Sequence, residues 1–242
     1  MALEFRDTFT NAGATVNLED WTGMETGDGW VTTINEADAS RLFDVFGTSA
    51  GYCGVPSGEA NDLQLAVCDP APSGADYDVE VELLEVEDGD VDSFGVVGRC
   101  VGSTPASDLA YYAILLYGAD GSPLTGNNRI DMVFCDTDGS VTQLDTHDTH
   151  VPADGYWYKL ELRGTAIKGY VDTGAGYVEL LAATDANLSA AGGAGISEGS
   201  QNSNSSFGAI DSSWKVGEFK VTVPAAGGIS IPVVQHHRQR NF

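Results

Sequence analysis

An unbroken two-residue alternation near the middle of the chain most limits how this sequence can fold. From Trp157 to Arg163 apolar and charged residues take turns, and the run from Ile167 to Asp172 alternates again. Successive side chains of a strand point to opposite faces, so each run predicts a strand with one buried face. Gly164 and Thr165 separate the two runs and predict a turn, which makes the pair an antiparallel hairpin. Because a lone hairpin is marginal in water, the rest of the chain must supply a sheet for it to pack against.

Other segments have the same strand character. Phe94–Val101, Ala110–Tyr117 and Arg129–Phe134 are the most apolar runs, which predicts that they lie at the centre of a sheet. The chain has 30 glycines, and we find no long segment with the 3.6-residue period of a helix. We therefore predict one all-β domain over residues 1–223, followed by a separate tail at 224–242.

Segments in a fixed order resemble the concanavalin A-like (laminin-G-like) jelly-roll superfamily: Phe5–Phe9, Ala75–Glu82 leading into Phe94–Arg99, Gly155–Asp172, and Ala191–Ile196 before Trp214–Val221. The resemblance implies a two-sheet antiparallel jelly-roll sandwich over nearly the whole chain up to about Val223. The superfamily includes lectins, glucanases, adhesion modules and parts of tailed-phage particles. It therefore implies a fold and leaves several functions open.

The charge balance excludes some partners. The chain carries 36 acidic and 11 basic residues, a formal net charge of -25, and only four of the bases are lysines. Such a surface repels nucleic acid and anionic membranes, so we expect neither as a partner. No apolar run reaches membrane-spanning length, and the start at Met1 lacks the basic and apolar regions of a secretory signal. We accordingly expect synthesis in a cytosol.

The last residues differ from the rest. Pro224–Gly228 predicts a hinge, and the segment after it is apolar and basic, with no acid. An apolar extended piece followed by cations is suited to docking on an acidic surface, either of this domain or of a neighbouring copy. The predicted assembly residues are Ile229, Ile231, Val233, Val234, His236, His237, Arg238, Arg240 and Phe242.

The segment Asp78–Glu82 places three carboxylates at alternate positions. It resembles the strand on which retaining jelly-roll glucanases hold a nucleophile and an acid about 5 Å apart. The order of acids differs from the glucanase motif, and more acids follow closely. We therefore predict a solvated acidic face and no catalytic residue, with a glycoside hydrolase acting through Glu80 and Glu82 as the alternative.

Two further segments suggest metal ligands. Asp88, Asp90 and Asp92 have the spacing of a calcium loop, although Ser93 and Arg99 stand where an EF-hand needs glycine and glutamate. Calcium is thus an alternative to having no cofactor. His147 and His150 have a spacing that could hold a transition metal, but a polar loop between Leu144 and Val151 is the simpler interpretation.

Sugars stack their C–H faces on aromatic rings, and for glycan recognition we select Tyr111, Tyr112 and Trp157. The four cysteines match no zinc spacing and predict buried free thiols: Cys53, Cys68, Cys100 and Cys135.

The first functional hypothesis is a non-enzymatic structural protein of a tailed-phage or related virus particle, a capsid decoration or tail component. It would be made in the host cytoplasm, displayed on the exterior of the virion, and assembled with copies of itself and neighbouring virion proteins through its tail. The alternatives are a lectin-like carbohydrate-binding module and a glycoside hydrolase.

Overall fold

The computed structural model describes residues 1–10, 16–27, 29–35, 43–46, 52–54, 64–86, 93–102, 109–117, 129–138, 140–198 and 214–224. Within these ranges the only helical element is a short 3-10 turn at Leu18–Asp20, and no helix is long and apolar enough to cross a membrane. The strands are β1 (Ala2–Asp7), β2 (Val16–Asn17), β3 (Gly29–Asn35), β4 (Asp44–Phe46), β5 (Tyr52–Gly54), β6 (Gln64–Asp69), β7 (Tyr77–Glu85), β8 (Ser93–Val101), β9 (Ala110–Tyr117), β10 (Ile130–Cys135), β11 (Val141–His147), β12 (Trp157–Arg163), β13 (Ala166–Asp172), β14 (Tyr177–Thr184), β15 (Gly193–Glu198) and β16 (Lys215–Val223).

The strands form two antiparallel sheets. The first has nine strands in the order β14-β13-β12-β7-β16-β5-β4-β2, with β1 also paired to β16. The second has seven, in the order β11-β10-β9-β8-β15-β6-β3. The predicted all-β, two-sheet antiparallel sandwich is therefore confirmed.

The predicted hairpin is the pair β12 and β13, in register from Trp157 opposite Asp172 to Arg163 opposite Ala166. The alternate residues Tyr158, Leu160 and Leu162 are fully buried, because they face the second sheet and pack in the core between the two. Gly164 turns the chain with a φ of 54°, in the left-handed region that glycine tolerates. The strands predicted at the sheet centre are β8, β9 and β10, and nearly all their residues are buried.

One end of the core is organised around a buried carboxylate. The Asp7 side chain is fully buried and accepts hydrogen bonds from the indole nitrogens of Trp21 and Trp30, at 3.0 and 2.9 Å to Oδ2. The backbone nitrogen of Phe9 donates to Oδ1 at 2.8 Å. Burial raises the pKa of Asp7 against the opposing effect of these donors. The acid thus fixes two large aromatic side chains in the core.

Arg99 on β8 ties three loops together. Its side chain is fully buried, and its guanidinium donates to the carbonyls of Ala75 at 3.0 Å, Gly164 at 2.6 Å and Leu188 at 2.8 Å. The carboxylate of Asp76 lies 3.5 Å away. Because one side chain bonds to the start of β7, the β12–β13 turn and the loop after β14, Arg99 positions the hairpin that carries much of the site below.

All four cysteines are buried free thiols, as the sequence predicts. Burial raises the pKa of Cys68, Cys100 and Cys135 to about 12. These thiols are therefore protonated at neutral pH and poor nucleophiles.

Candidate functional site

The outer face of the nine-stranded sheet brings together polar side chains that are far apart in sequence. The side chains that alternate with the core residues on β7, β12, β13 and β16 all point to this face. Strand pairing aligns them in two rows across the sheet. The first row is Glu218, Glu82, Trp157, Asp172 and Tyr177, and the second is Arg6, Lys220, Glu80, Lys159, Tyr170 and Glu179.

The acidic strand β7 is not the solvated face that the sequence predicts. Asp78 is 1% exposed and Glu80 is 9% exposed. Cations on the neighbouring strands cover them: Arg163 donates to Asp78 Oδ1 at 2.5 Å, and Lys220 Nζ lies 3.3 Å from Glu80 Oε2. The prediction was wrong because alternation identifies which side chains face outward but not which partners the adjacent strands place beside them.

The same lysines lie over aromatic rings. Lys220 Nζ is 4.1 Å from the ring centroid of Trp157. Lys159 Nζ is 4.2 Å from the ring centroid of Tyr170 and 4.6 Å from that of Tyr177. These are cation–π distances, and each ammonium is held between a π face and a carboxylate. We call this cluster the aromatic–lysine face, and its members are Glu80, Glu82, Trp157, Lys159, Tyr170, Tyr177 and Lys220.

Tyr177 covers part of this face from the edge of the sheet. Its hydroxyl donates to Glu80 Oε2 at 2.5 Å. Tyr177 is on β14 and Glu80 is on β7, so in a flat sheet three strand spacings, about 14 Å, would separate their backbones. A tyrosine and a glutamate side chain standing upright on a flat sheet do not span that gap. Tyr177, which is 36% exposed, thus reaches from the edge strand across the outer face, and its ring centroid lies 4.6 Å from Lys159 Nζ.

Burial raises the pKa of several ionisable groups on this outer face of the sheet. Burial raises the pKa of Glu82, and the negative charge of Glu218 raises it further, against the opposing charge of Lys220. Burial also raises the pKa of Asp78, with Arg163 acting in the opposite direction. Burial and the bond to Glu80 raise the pKa of Tyr177, so its phenol stays protonated and acts as a donor.

The outer face of the seven-stranded sheet has a different character. It carries a second apolar cluster that includes Leu65, Val97, Tyr111 and Val133, all at most 2% exposed. Tyr111 therefore has no free ring face for a sugar. Tyr112 is fully buried in the main core, and its hydroxyl donates to Asp185 at 2.5 Å. The glycan-contact prediction is wrong for these two rings, whereas Trp157 is half-buried on the opposite, polar face.

The two histidines with metal-ligand spacing, His147 and His150, lie at the end of β11 and just after it. β11 extends through His147, so this residue ends a strand and does not lie in a loop. His150 is 9% exposed, and its Nε2 lies 2.8 Å from the hydroxyl of Tyr158. Burial lowers the pKa of His150 to about 4, which keeps the ring neutral. Within the described ranges no group of three or more His, Cys, Asp or Glu residues could hold a metal ion.

A second polar cluster lies at the start of β10. Arg129 is 2.7 Å from Asp131 Oδ2, and the hydroxyl of Thr146 donates to Asp131 Oδ1 at 2.7 Å. Both oxygens of this buried carboxylate are thus engaged inside the protein. The guanidinium of Arg129 also lies 4.7 Å from the ring centroid of Tyr117. We interpret this cluster as a structural ion pair.

Two predicted sites fall outside the described residues. The calcium-loop candidates Asp88, Asp90 and Asp92 belong to the stretch 87–92, and the assembly residues of the tail belong to 225–242. The calcium and assembly hypotheses therefore stay predictions.

No protein-family model matches this chain, and no curated protein matches it. Solved structures do match its fold. The carbohydrate-binding module CBM66 from Bacillus subtilis has a TM-score of 0.50 at 14% identity, over 80% of this chain and 92% of that one. The exoplasmic/lumenal domain of VIP36 in its Ca2+/Man-bound form has a TM-score of 0.55 at 11% identity, over 88% and 91%.

A GH43 protein, BlXynB from Bacillus licheniformis, has a TM-score of 0.54 at 16% identity, over 90% of this chain. This chain spans only 39% of that protein's length. At these identities the likeness shows a shared fold and no more. The chain therefore has the two-sheet jelly-roll sandwich that its sequence predicts, and it shares this fold with the carbohydrate-binding module and with the VIP36 domain.

The sequence analysis singles out three members of the site, Trp157, Glu80 and Glu82. It misses the other four: Lys159, Tyr170, Tyr177 and Lys220. The sequence contains a usable signal, because all four lysines fall at outward positions of β12, β13 and β16. What the sequence does not give is the order of strands in the sheet. That order places Lys220 beside a strand more than 130 residues earlier in the chain.

Proposed function

We propose that this protein is a non-catalytic carbohydrate-binding module that holds a glycan against the aromatic–lysine face. The observation that carries the proposal is the clustering of Trp157, Tyr170 and Tyr177 with two lysines on one outward face of a lectin-like sandwich. Aromatic rings offer flat apolar surfaces to the C–H faces of sugars. Ammonium and carboxylate groups beside the rings form charge-assisted hydrogen bonds with hydroxyl groups.

The position of Trp157 supports this assignment. Trp21, Trp30 and Trp214 are at most 7% exposed, whereas Trp157 is half-buried and points outward from β12. A half-buried indole keeps apolar surface in contact with water, and a ligand that covers it gains the free energy of burying that surface. Large aromatic side chains of this kind dominate the binding energy of many interfaces.

A glycoside hydrolase is the second candidate function, because Glu80 and Glu82 share one strand face and burial raises the pKa of Glu82. Retaining hydrolases use one protonated and one ionised carboxyl group. The nucleophile must, however, reach the sugar. Glu80 is 9% exposed, and its Oε2 already contacts Tyr177 and Lys220. We therefore favour binding without hydrolysis.

The narrower assignment to the exterior of a virus particle stays a prediction. It depends on a tail at 224–242 that lies almost wholly outside the described residues. Deletion of residues 227–242 should leave the sandwich folded and abolish assembly in light scattering, and an unaltered oligomer would contradict the assembly hypothesis. A glycan-binding module and a particle component are compatible roles for one chain.

The proposal is tested by a glycan array followed by affinity electrophoresis with the best ligand, each with calcium and with a chelator. Trp157→Ala should weaken binding about 30-fold, corresponding to about 2 kcal/mol for a central aromatic contact. The matched control is Tyr52→Ala on β5, where Lys215 Nζ lies 5.1 Å from the ring centroid in an equivalent pair away from the site. The control should bind like the wild type.

Two results would contradict the proposal. One is a wild-type protein that binds no glycan, and the other is a Trp157→Ala variant that remains folded by circular dichroism and binds with unchanged affinity. Release of reducing sugar by the wild type, but not by the Glu80→Gln/Glu82→Gln double variant, would instead show hydrolysis. A requirement for calcium would support the prediction at Asp88, Asp90 and Asp92.

A further inference from the structure

The basic residues of this acidic protein are concentrated on one surface. All four lysines lie on the outer face of the nine-stranded sheet, and Arg6 and Arg163 lie on the same face. This face therefore carries six of the 11 basic residues of the chain. A cluster of cations usually suggests an anionic ligand.

Each of these six cations is already paired with a carboxylate. The two arginines are close to their acids: Arg6 lies 2.8 Å from Glu25, and Arg163 lies 2.5 Å from Asp78. Two lysines also have close partners, since Lys168 lies 2.7 Å from Glu179 and Lys215 contacts Glu85. The other two are more distant, with Lys220 at 3.3 Å from Glu80 and Lys159 at 4.0 Å from Glu161. Arg99 and Arg129 are the remaining described cations. Arg99 lies 3.5 Å from Asp76, and Arg129 lies 2.7 Å from Asp131. Among the described residues, no lysine or arginine is left without an internal anion.

An anionic sugar would meet two obstacles on this face. At Arg163 and Lys220 its carboxylate or sulfate would have to displace Asp78 or Glu80, which leaves a buried acid without its partner. It would also approach a protein with a net charge of -25, whose field repels polyanions.

We infer that the ligand of the aromatic–lysine face is an uncharged polysaccharide, an inference that rests on the proposed function. A paired ammonium still has donors to give, because Lys220 offers three hydrogens and one carboxylate engages only part of them. Glu82 likewise retains lone pairs that can accept from a hydroxyl group. The paired charges can thus bond to neutral hydroxyls without separating, while Trp157 stacks against the sugar ring.

The test compares soluble polymers of three charge classes by affinity electrophoresis and calorimetry. The neutral probes are β-glucan, mannan and xylan, the anionic probes are polygalacturonate and alginate, and the cationic probe is chitosan. Each is measured at roughly 20 mM and roughly 500 mM salt, which spans weak and strong screening of surface charge. We expect a neutral polymer to bind with an affinity that changes less than about twofold with salt and that Trp157→Ala reduces.

The outcomes separate this inference from the proposed function. Binding of polygalacturonate or alginate that Trp157→Ala abolishes would overturn the inference and leave carbohydrate binding standing. Binding of chitosan alone, lost at high salt and unaffected by Trp157→Ala, would reflect attraction to the negative net charge of the protein. It would overturn both the inference and the proposed function. Failure of every polymer to bind would refute the proposed function itself. The Glu179→Gln variant, which frees Lys168 from its acid, should increase retardation by polygalacturonate at low salt, and no increase would contradict the argument that pairing blocks anions.

Discussion

Replacement of Arg99 by methionine should cost this protein a large share of its stability. The guanidinium makes three hydrogen bonds to backbone carbonyls from a fully buried position, with donor–acceptor distances of 2.6, 2.8 and 3.0 Å. Hydrogen bonds that involve a charged group contribute roughly 1.5 kcal/mol each, so the loss of three amounts to about 4.5 kcal/mol. Methionine retains much of the apolar stem, and it inherits the same φ of 50° at residue 99, so backbone strain is unchanged.

The assay is urea unfolding at equilibrium, followed by tryptophan fluorescence. Arg6→Met is the matched control, because Arg6 also has two ion pairs, at 2.8 and 2.9 Å, but its side chain is 38% exposed. Solvent screens such pairs, so the control should lose about 1 kcal/mol or less. If Arg99→Met lowered the free energy of unfolding by no more than the control does, the conclusion that Arg99 holds the three loops together would be refuted.

Three further predictions concern the core. His150→Gln should make the free energy of unfolding less sensitive to acid. The pKa of His150 is about 4 in the folded protein and 6.5 ordinarily, so protonation favours the unfolded state as the pH falls. Between pH 6.5 and pH 4 the wild type should lose about 3 kcal/mol more stability than the variant, and an equal loss in both proteins would contradict this. Gly195→Ala should destabilise by about 3 kcal/mol because its Cβ would lie 1.9 Å from the carbonyl oxygen of Ala66, whereas Gly74→Ala, with no atom within 4 Å, should be neutral in the same thermal melt. None of the four buried thiols should react with a disulfide reagent at pH 8 in the native protein, and rapid labelling of even one would show that the core is open there.

The sequence predicts those parts of the fold that depend on local periodicity. Alternation in Trp157–Arg163 correctly places Tyr158, Leu160 and Leu162 in the core. The apolar runs at β8, β9 and β10 correctly indicate interior strands of a sheet, with β8 at its centre. Periodicity depends on one strand at a time, so it needs no knowledge of neighbours.

The candidate site depends on pairings that a single sequence does not contain. Glu80 is outward by alternation, yet it is buried because Lys220, 140 residues later, is its register partner and the hydroxyl of Tyr177 donates to it. Tyr111 is an outward residue too, but the face it occupies is covered and apolar. Non-local strand order therefore decides which outward residues meet a ligand, and it cannot be deduced from alternation.

The most direct test of the account is whether a glycan shields Trp157. Trp21, Trp30 and Trp214 are buried, so quenching of the native protein's fluorescence by acrylamide should come mainly from Trp157. We predict that a saturating neutral polysaccharide lowers the quenching constant of the wild type to that of the Trp157→Phe variant. Bound polysaccharide that leaves the quenching of Trp157 unchanged would place the ligand elsewhere and contradict the assignment of the aromatic–lysine face.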